Sequence, residues 1–161
     1  MRALLPLILS VGTLLVSGPS VAGGAADLVG AWKLVSIAAE DVETKQRSQF
    51  WGEHPNGRLI FTADGQMIAL LTGEGRKPPQ TEAERSVAFT SMAAYSGRYR
   101  VEGDRFVTKV DMAWNENWVG TEQLRHYRID GNMLYIETDP RVDAGFANRL
   151  TRFVLSWEKE N

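Results

Sequence analysis

The chain has 161 residues, 43% hydrophobic and 24% charged, with no cysteine and a formal net charge of −2, a profile that excludes disordered and collagen-like chains and fits one ordinary globular domain. Lys and Arg number 18 against 20 Asp and Glu, so no basic face awaits phosphates and nucleic acid is not an expected partner. The missing cysteines exclude disulfides, thiolate nucleophiles, Cys-ligated metals and a lipobox-type anchor.

Met1-Arg2 is followed by an apolar run from Ala3 to Val16, and Ser20 and Ala22 stand at the −3 and −1 positions of a cleavage site. Residues 1–22 are therefore expected to be a secretory signal peptide. The run is interrupted by Pro6 and Gly12 and falls short of the ~20 apolar residues of a spanning helix. The expected product is residues 23–161, periplasmic or secreted and without a stable membrane anchor. Ala26 is an alternative cleavage point.

From Asp27 onward, short runs rich in Val, Ile, Phe, Tyr, Trp and Thr alternate with Gly or Asp-Gly punctuation, an antiparallel all-β signature. Gly30 to Ile37 is expected as a first strand, with a weaker one around Lys45 to Phe50. Arg58 to Thr62 and Gln66 to Thr72 flank the turn Ala63-Asp64-Gly65. Pro79 to Met92 breaks the pattern: Thr81-Glu82-Ala83-Glu84 is a capping-box signature and predicts one short helix, either a lid or a plug. Strands follow at Gly97 to Glu102, Arg105 to Trp114, Thr121 to Ile129, Met133 to Thr138 and Thr151 to Glu158, joined mostly by tight turns. About eight to nine such strands are expected to close into an up-and-down antiparallel β-barrel.

Strand parity sorts the faces. It puts Phe106, Val110, Met112 and Trp114 on one face, with Arg105, Lys109 and Asp111 on the other. It joins Tyr127 and Ile129 to Gln123 and Arg125, and turns Glu122, His126 and Arg128 away. An interior containing Trp32, Tyr95, Tyr99, Met112, Trp114, Tyr127, Phe153 and Trp157, with Gln123 and Arg125 among them, has the apolar walls and sparse polar groups of a small-molecule cavity. A buried Arg125 needs a carboxylate, carbonyls, water or an anionic ligand. A barrel filled by its own side chains is the alternative.

Leu28 to Ser36, Gly57 to Gly65, Tyr95-Ser96-Gly97-Arg98-Tyr99, Asn117-Trp118-Val119-Gly120-Thr121-Glu122-Gln123 and Leu155-Ser156-Trp157-Glu158, in that order, resemble the bacterial and fungal lipocalin-like domain family. The resemblance implies a lipocalin-like barrel. Gly30-Ala31-Trp32 is also similar to the Gly-x-Trp that opens true lipocalins, where the Trp packs under a basic residue from near the C-terminus; Arg149 or Arg152 would be its counterpart here.

The candidate ligand-binding residues are accordingly Arg125 and Gln123 for a polar group, with Tyr95, Tyr99, Trp114, Trp118 and Tyr127 as walls and Asn117 at the mouth. The expected partner is a small hydrophobic molecule, and no cofactor or metal is expected. His54 beside Glu53, and His126 beside Asp111 or Glu122, are the residues with acid–base capability, though His126 faces away from Arg125. The alternative function is a small barrel enzyme, an isomerase, cyclase or hydrolase acting on a hydrophobic metabolite, with Arg125 stabilising charge and Tyr99, Tyr127 or Asp111 moving a proton. A third is a filled barrel acting through its surface in cell-envelope assembly.

Overall fold

The computed structural model describes residues 24–160. The expected signal peptide, residues 1–22, lies outside the described residues. A helical turn, α1 (Ala25–Leu28), leads into β1 (Gly30–Asp41). There follow β2 (Arg47–Ser48), β3 (Asn56–Phe61), β4 (Gln66–Thr72), α2 (Glu82–Thr90), β5 (Met92–Glu102), β6 (Arg105–Ala113), β7 (Glu122–Asp130), β8 (Met133–Thr138), β9 (Arg141–Asp143) and β10 (Arg149–Lys159). Two 3-10 turns, Glu116–Trp118 and Ala144–Phe146, interrupt the later connections.

Each strand pairs antiparallel with the next in space, in the order β2-β1-β3-β4-β5-β6-β7-β8-β10-β9, and β1 also pairs with β10. That last pairing closes eight strands into a barrel and leaves β2 and β9 as short additions beside β1 and β10. Closure removes the long unpaired edges that an open sheet would expose.

The helix expected between Pro79 and Met92 forms as α2, and its predicted cap is present. Glu84 N–H donates to the Thr81 hydroxyl at 3.2 Å, and Thr81 N–H donates to the Glu84 carboxylate at 2.9 Å. Those two hydrogen bonds satisfy groups that a helix start leaves orphaned. None of its residues is buried, so α2 does not fill the barrel interior; Thr90, its last residue, lies at the cavity's edge.

Two bulges reset strand parity. In β1, Leu34 pairs with Trp157 and Ser36 with Ser156, leaving Val35 as the extra residue. The buried set accordingly changes from Trp32 and Leu34 to Ile37 and Ala39. In β6, Val110 pairs with Gly97 and Met112 with Ser96, leaving Asp111 extra. Met112 is therefore 67% exposed and not on the interior face that simple alternation gives it. Asp111 turns out to accept a hydrogen bond from the Ser96 hydroxyl at 2.6 Å.

One end of the barrel is solid. Phe61 packs edge-on against Tyr99 at 4.9 Å and Phe106 at 5.1 Å, and Phe106 continues to Tyr127 at 5.9 Å. Below this stack, Trp32 and Leu28 are fully buried, and Trp32 Nε1 donates to the Leu28 carbonyl at 2.8 Å. Lys159 lies over the Trp32 ring at 5.0 Å. It takes the place expected of Arg149 or Arg152, which instead pair with Asp41 and with Glu40 and Glu137.

Candidate functional site

The other end of the barrel is hollow. Beyond Phe61, β3 turns the smaller Leu59 inward, and β4, β1 and β8 contribute Ala69, Leu71, Ile37 and Ile136 to the same space. Above the Phe106 floor they leave a cavity of about 480 Å³, within the ~300–1,000 Å³ usual for small-molecule sites.

Two aromatic groups face each other across its mouth. On one side Trp118 packs edge-on against Trp114 at 4.9 Å and Tyr95 at 5.4 Å. The Asn115 side chain accepts from Asn117 N–H at 3.1 Å and caps the turn that carries Trp118. On the other side Phe50 meets Trp51, Phe146 and Phe153 at 5.3–5.5 Å. Phe50 and Trp51 come from the connection after β2, which hydrogen bonds to Glu40 and to Glu74 hold down. Arg47, on β2, bonds Glu40 at 2.8 Å. Glu74 N–H donates to the Trp51 carbonyl at 2.8 Å, and the Glu74 carboxylate accepts from the N–H groups of Glu53 and His54.

Arg125 is the polar centre. It enters from β7 between Phe106 of β6 and Thr138 of β8. Its guanidinium donates to the Leu124 carbonyl at 2.7 Å and to Gln123 Oε1 at 3.2 Å. It also lies 5.9 Å from the Tyr95 ring centre and 6.0 Å from that of Trp118. Among the described residues it forms no ion pair. The other charged residues of the lining are engaged: Glu122 with Arg100, Asp139 with His126, and Arg141 with Asp143.

The structure thus brings together five of the eight residues expected to bind a ligand: Arg125, Gln123, Tyr95, Trp114 and Trp118 all line the cavity. Tyr99 and Tyr127 do not; they belong to the stack beneath it. Burial pushes both phenols above the usual tyrosine range, with nearby Asp64 adding to the shift of Tyr99. Tyr99 donates to the Thr62 carbonyl at 3.1 Å. Asn117 is exposed on its turn and outside the lining. His54 sits in an exposed loop, and His126, itself outside the lining, bonds Asp139 at 2.9 Å. Among the described residues no cluster of three or more His, Asp or Glu could hold a metal ion.

Sequence reasoning placed Phe153 in the interior but missed Phe50 and Trp51, which join it as one wall of the mouth. The signal available was Phe50-Trp51 itself, two adjacent aromatics in a polar, Gly-containing connection, where exposure of both would be costly.

A half-filled eight-stranded barrel with its Gly-x-Trp base capped by a C-terminal cation is what lipocalin architecture requires, and a lipocalin-like domain model matches residues 29–160. The chain belongs to the lipocalin-like domain family. Over 49% of its length, the chain is also similar to a protein of Aspergillus oryzae named as a 4'-hydroxy-3'-methoxypropiophenone carrier protein. The two are 34% identical over 88 residues, which cover 77% of the fungal protein.

Proposed function

We propose that this lipocalin-like barrel binds and carries a small, largely apolar molecule, held in the hollow end between the two aromatic groups. Arg125 and Gln123 hold the polar end of the ligand, and Tyr95, Trp114, Trp118, Phe50 and Phe153 cover its flat faces. The observation that carries this reading is the cavity of about 480 Å³ with aromatic walls and the Arg125 guanidinium, which forms no ion pair among the described residues. The fungal relative's name, an aryl ketone carrier, supports an aromatic ligand of similar size. We further propose export, with residues 1–22 removed and the barrel acting in the periplasm or outside the cell.

The enzyme reading is less well supported, because the groups it needs for proton transfer lie elsewhere. Tyr99 and Tyr127 are beneath the floor, and Asp111 is on the outer face.

The test is a titration with 4'-hydroxy-3'-methoxypropiophenone, read through tryptophan fluorescence, since Trp114 and Trp118 line the cavity. Saturable 1:1 quenching is expected, with no chemical change in the recovered compound. Absence of saturation with this ketone and with a panel of aromatic compounds of similar size overturns the carrier reading; turnover of the compound favours the enzyme. The mass of the exported protein, read in the same preparation, tests removal of residues 1–22.

A further inference from the structure

The polar centre of the cavity specifies the charge of what it takes. We infer that the cargo is bound as an anion, through a negatively charged oxygen conjugated to its aromatic ring, an acidic phenol or an aryl carboxylate, that pairs with Arg125. This inference rests on the carrier reading and narrows it to a class of ligand.

The argument is an inventory of charge and of donors. A guanidinium has five N–H donors and no acceptor. Arg125 spends one on the Leu124 carbonyl and one on Gln123 Oε1, and its remaining neighbours include the faces of Tyr95 and Trp118. Both of these acceptors are neutral, so among the described residues its positive charge has no paired carboxylate.

The groups around it do not supply the missing charge. On its own strand, Glu122 is taken up by Arg100, with contacts at 2.9 and 3.2 Å. Its neighbours on β6 and β8, Phe106 and Thr138, are neutral. Asp139, after β8, is bonded to His126. Arg141, the other cation of the lining, faces Asp143 at 3.6 Å. A cation held against aromatic faces in a cavity of low polarity attracts an anion more strongly than the same group in water. A planar oxyanion suits the fork of a guanidinium, and the attached ring suits the walls.

The sign of one measurable quantity separates this inference from neutral binding. Burial alone raises the pKa of a phenol, as it does for Tyr99 and Tyr127. An adjacent guanidinium lowers it. If the cargo is held as an anion, a phenol para to a carbonyl gives up its proton to solvent at lower pH when bound than when free. The phenolate of such a ketone absorbs at longer wavelength than the phenol, so the bound ionisation midpoint can be read directly.

The experiment titrates 4'-hydroxy-3'-methoxypropiophenone with pH, free and in complex with the whole protein, and repeats the binding with its O-methyl ether, which cannot ionise. We expect the midpoint to fall by about one pH unit or more in the complex, which by linkage is about tenfold tighter binding of the anion than of the neutral phenol. Arg125→Met should abolish the fall while still binding the ether, and Arg125→Lys should keep part of it. A midpoint that rises or stays fixed in the wild-type complex overturns the inference whether or not either variant folds, as does a fall that survives in Arg125→Met. If neither the phenol nor the ether quenches tryptophan fluorescence, it is the carrier reading itself that fails.

Discussion

Lys159 Nζ sits 5.0 Å above the centre of the Trp32 ring and also donates to the Asp27 carbonyl at 3.2 Å. One side chain from the last strand thus ties the first strand to the helical turn that closes the barrel base. Trp32 does most of the packing there. Trp32→Ala should cost about 3–5 kcal/mol from lost burial and a residual void, a large part of the ~5–15 kcal/mol total of a domain this size. Lys159→Met, on an exposed residue, should cost only about 0.5–1 kcal/mol. Urea unfolding of both variants checks the ratio; equal costs would mean that the cation, not the indole, closes the base.

Glu40 is 3% exposed, yet its carboxyl is held below the usual glutamate range. The Arg47 hydrogen bond is the largest cause, burial opposes it, and the bonds and charge of Arg152 assist. A carboxylate with a depressed pKa gives stability that is present above its unfolded value of about 4.3 and is lost as pH falls through the folded value. Thermal stability should therefore drop as pH falls below about 4.5, and Glu40→Gln should flatten that drop. At pH 7 the same variant should be about 1–3 kcal/mol less stable, below the figure for a fully buried pair because Arg47 is 56% exposed. It should also loosen the connection bearing Phe50 and Trp51.

Gly97 lies at the β6 bulge, where a Cβ would stand 2.0 Å from the Lys109 carbonyl oxygen. The obstacle is backbone, so a side-chain rotation cannot relieve it. Gly97→Ala should destabilise the barrel by more than about 2 kcal/mol, well above the cost of an ordinary surface change. Chemical denaturation measures this; a near-neutral result would mean that the bulge can shift along β6.

Trp118 touches Trp114, Tyr95 and Arg125 at the rim but contributes nothing to the stack below the floor. Trp118→Ala should weaken ligand binding about tenfold or more, as loss of a central aromatic contact does, with a much smaller fall in melting temperature than Trp32→Ala. Fluorescence titration alongside thermal unfolding separates the two effects.

The elements that the sequence made legible are those whose signals are local. The turn at Ala63-Asp64-Gly65, the capping box at Thr81 and Glu84, and the outward placement of His126 and Arg128 can each be read within one or two elements, and the structure has all of them; Glu122, expected to face away as well, pairs with Arg100 but also lines the cavity. Simple alternation misplaces Met112 because a bulge adds one residue without any mark in the sequence of its own strand; the register shift falls between Ser96 and Gly97 of the neighbouring strand. The choice among Arg149, Arg152 and Lys159 was hidden for a similar reason. Each basic residue of β10 is drawn to the carboxylates or ring opposite it, and the pairing with β1 sets which it meets. Tyr99 and Tyr127 share a face with cavity residues, as parity required, but parity gives a side chain's face and not its height along the barrel axis.

That height has a further consequence. The stack of Phe61, Tyr99, Phe106 and Tyr127 completes the closed half without help from the rim, and although core residues such as Leu59, Phe106 and Trp157 also line the hollow, the rim aromatics Phe50, Trp114 and Trp118 lie outside the buried core. Exchanging aromatics at Phe50, Trp114 or Trp118 reshapes the hollow while drawing little on a narrow margin of folding free energy. A barrel built in this way can alter the shape of its hollow across generations, one rim residue at a time, and stay folded at every step.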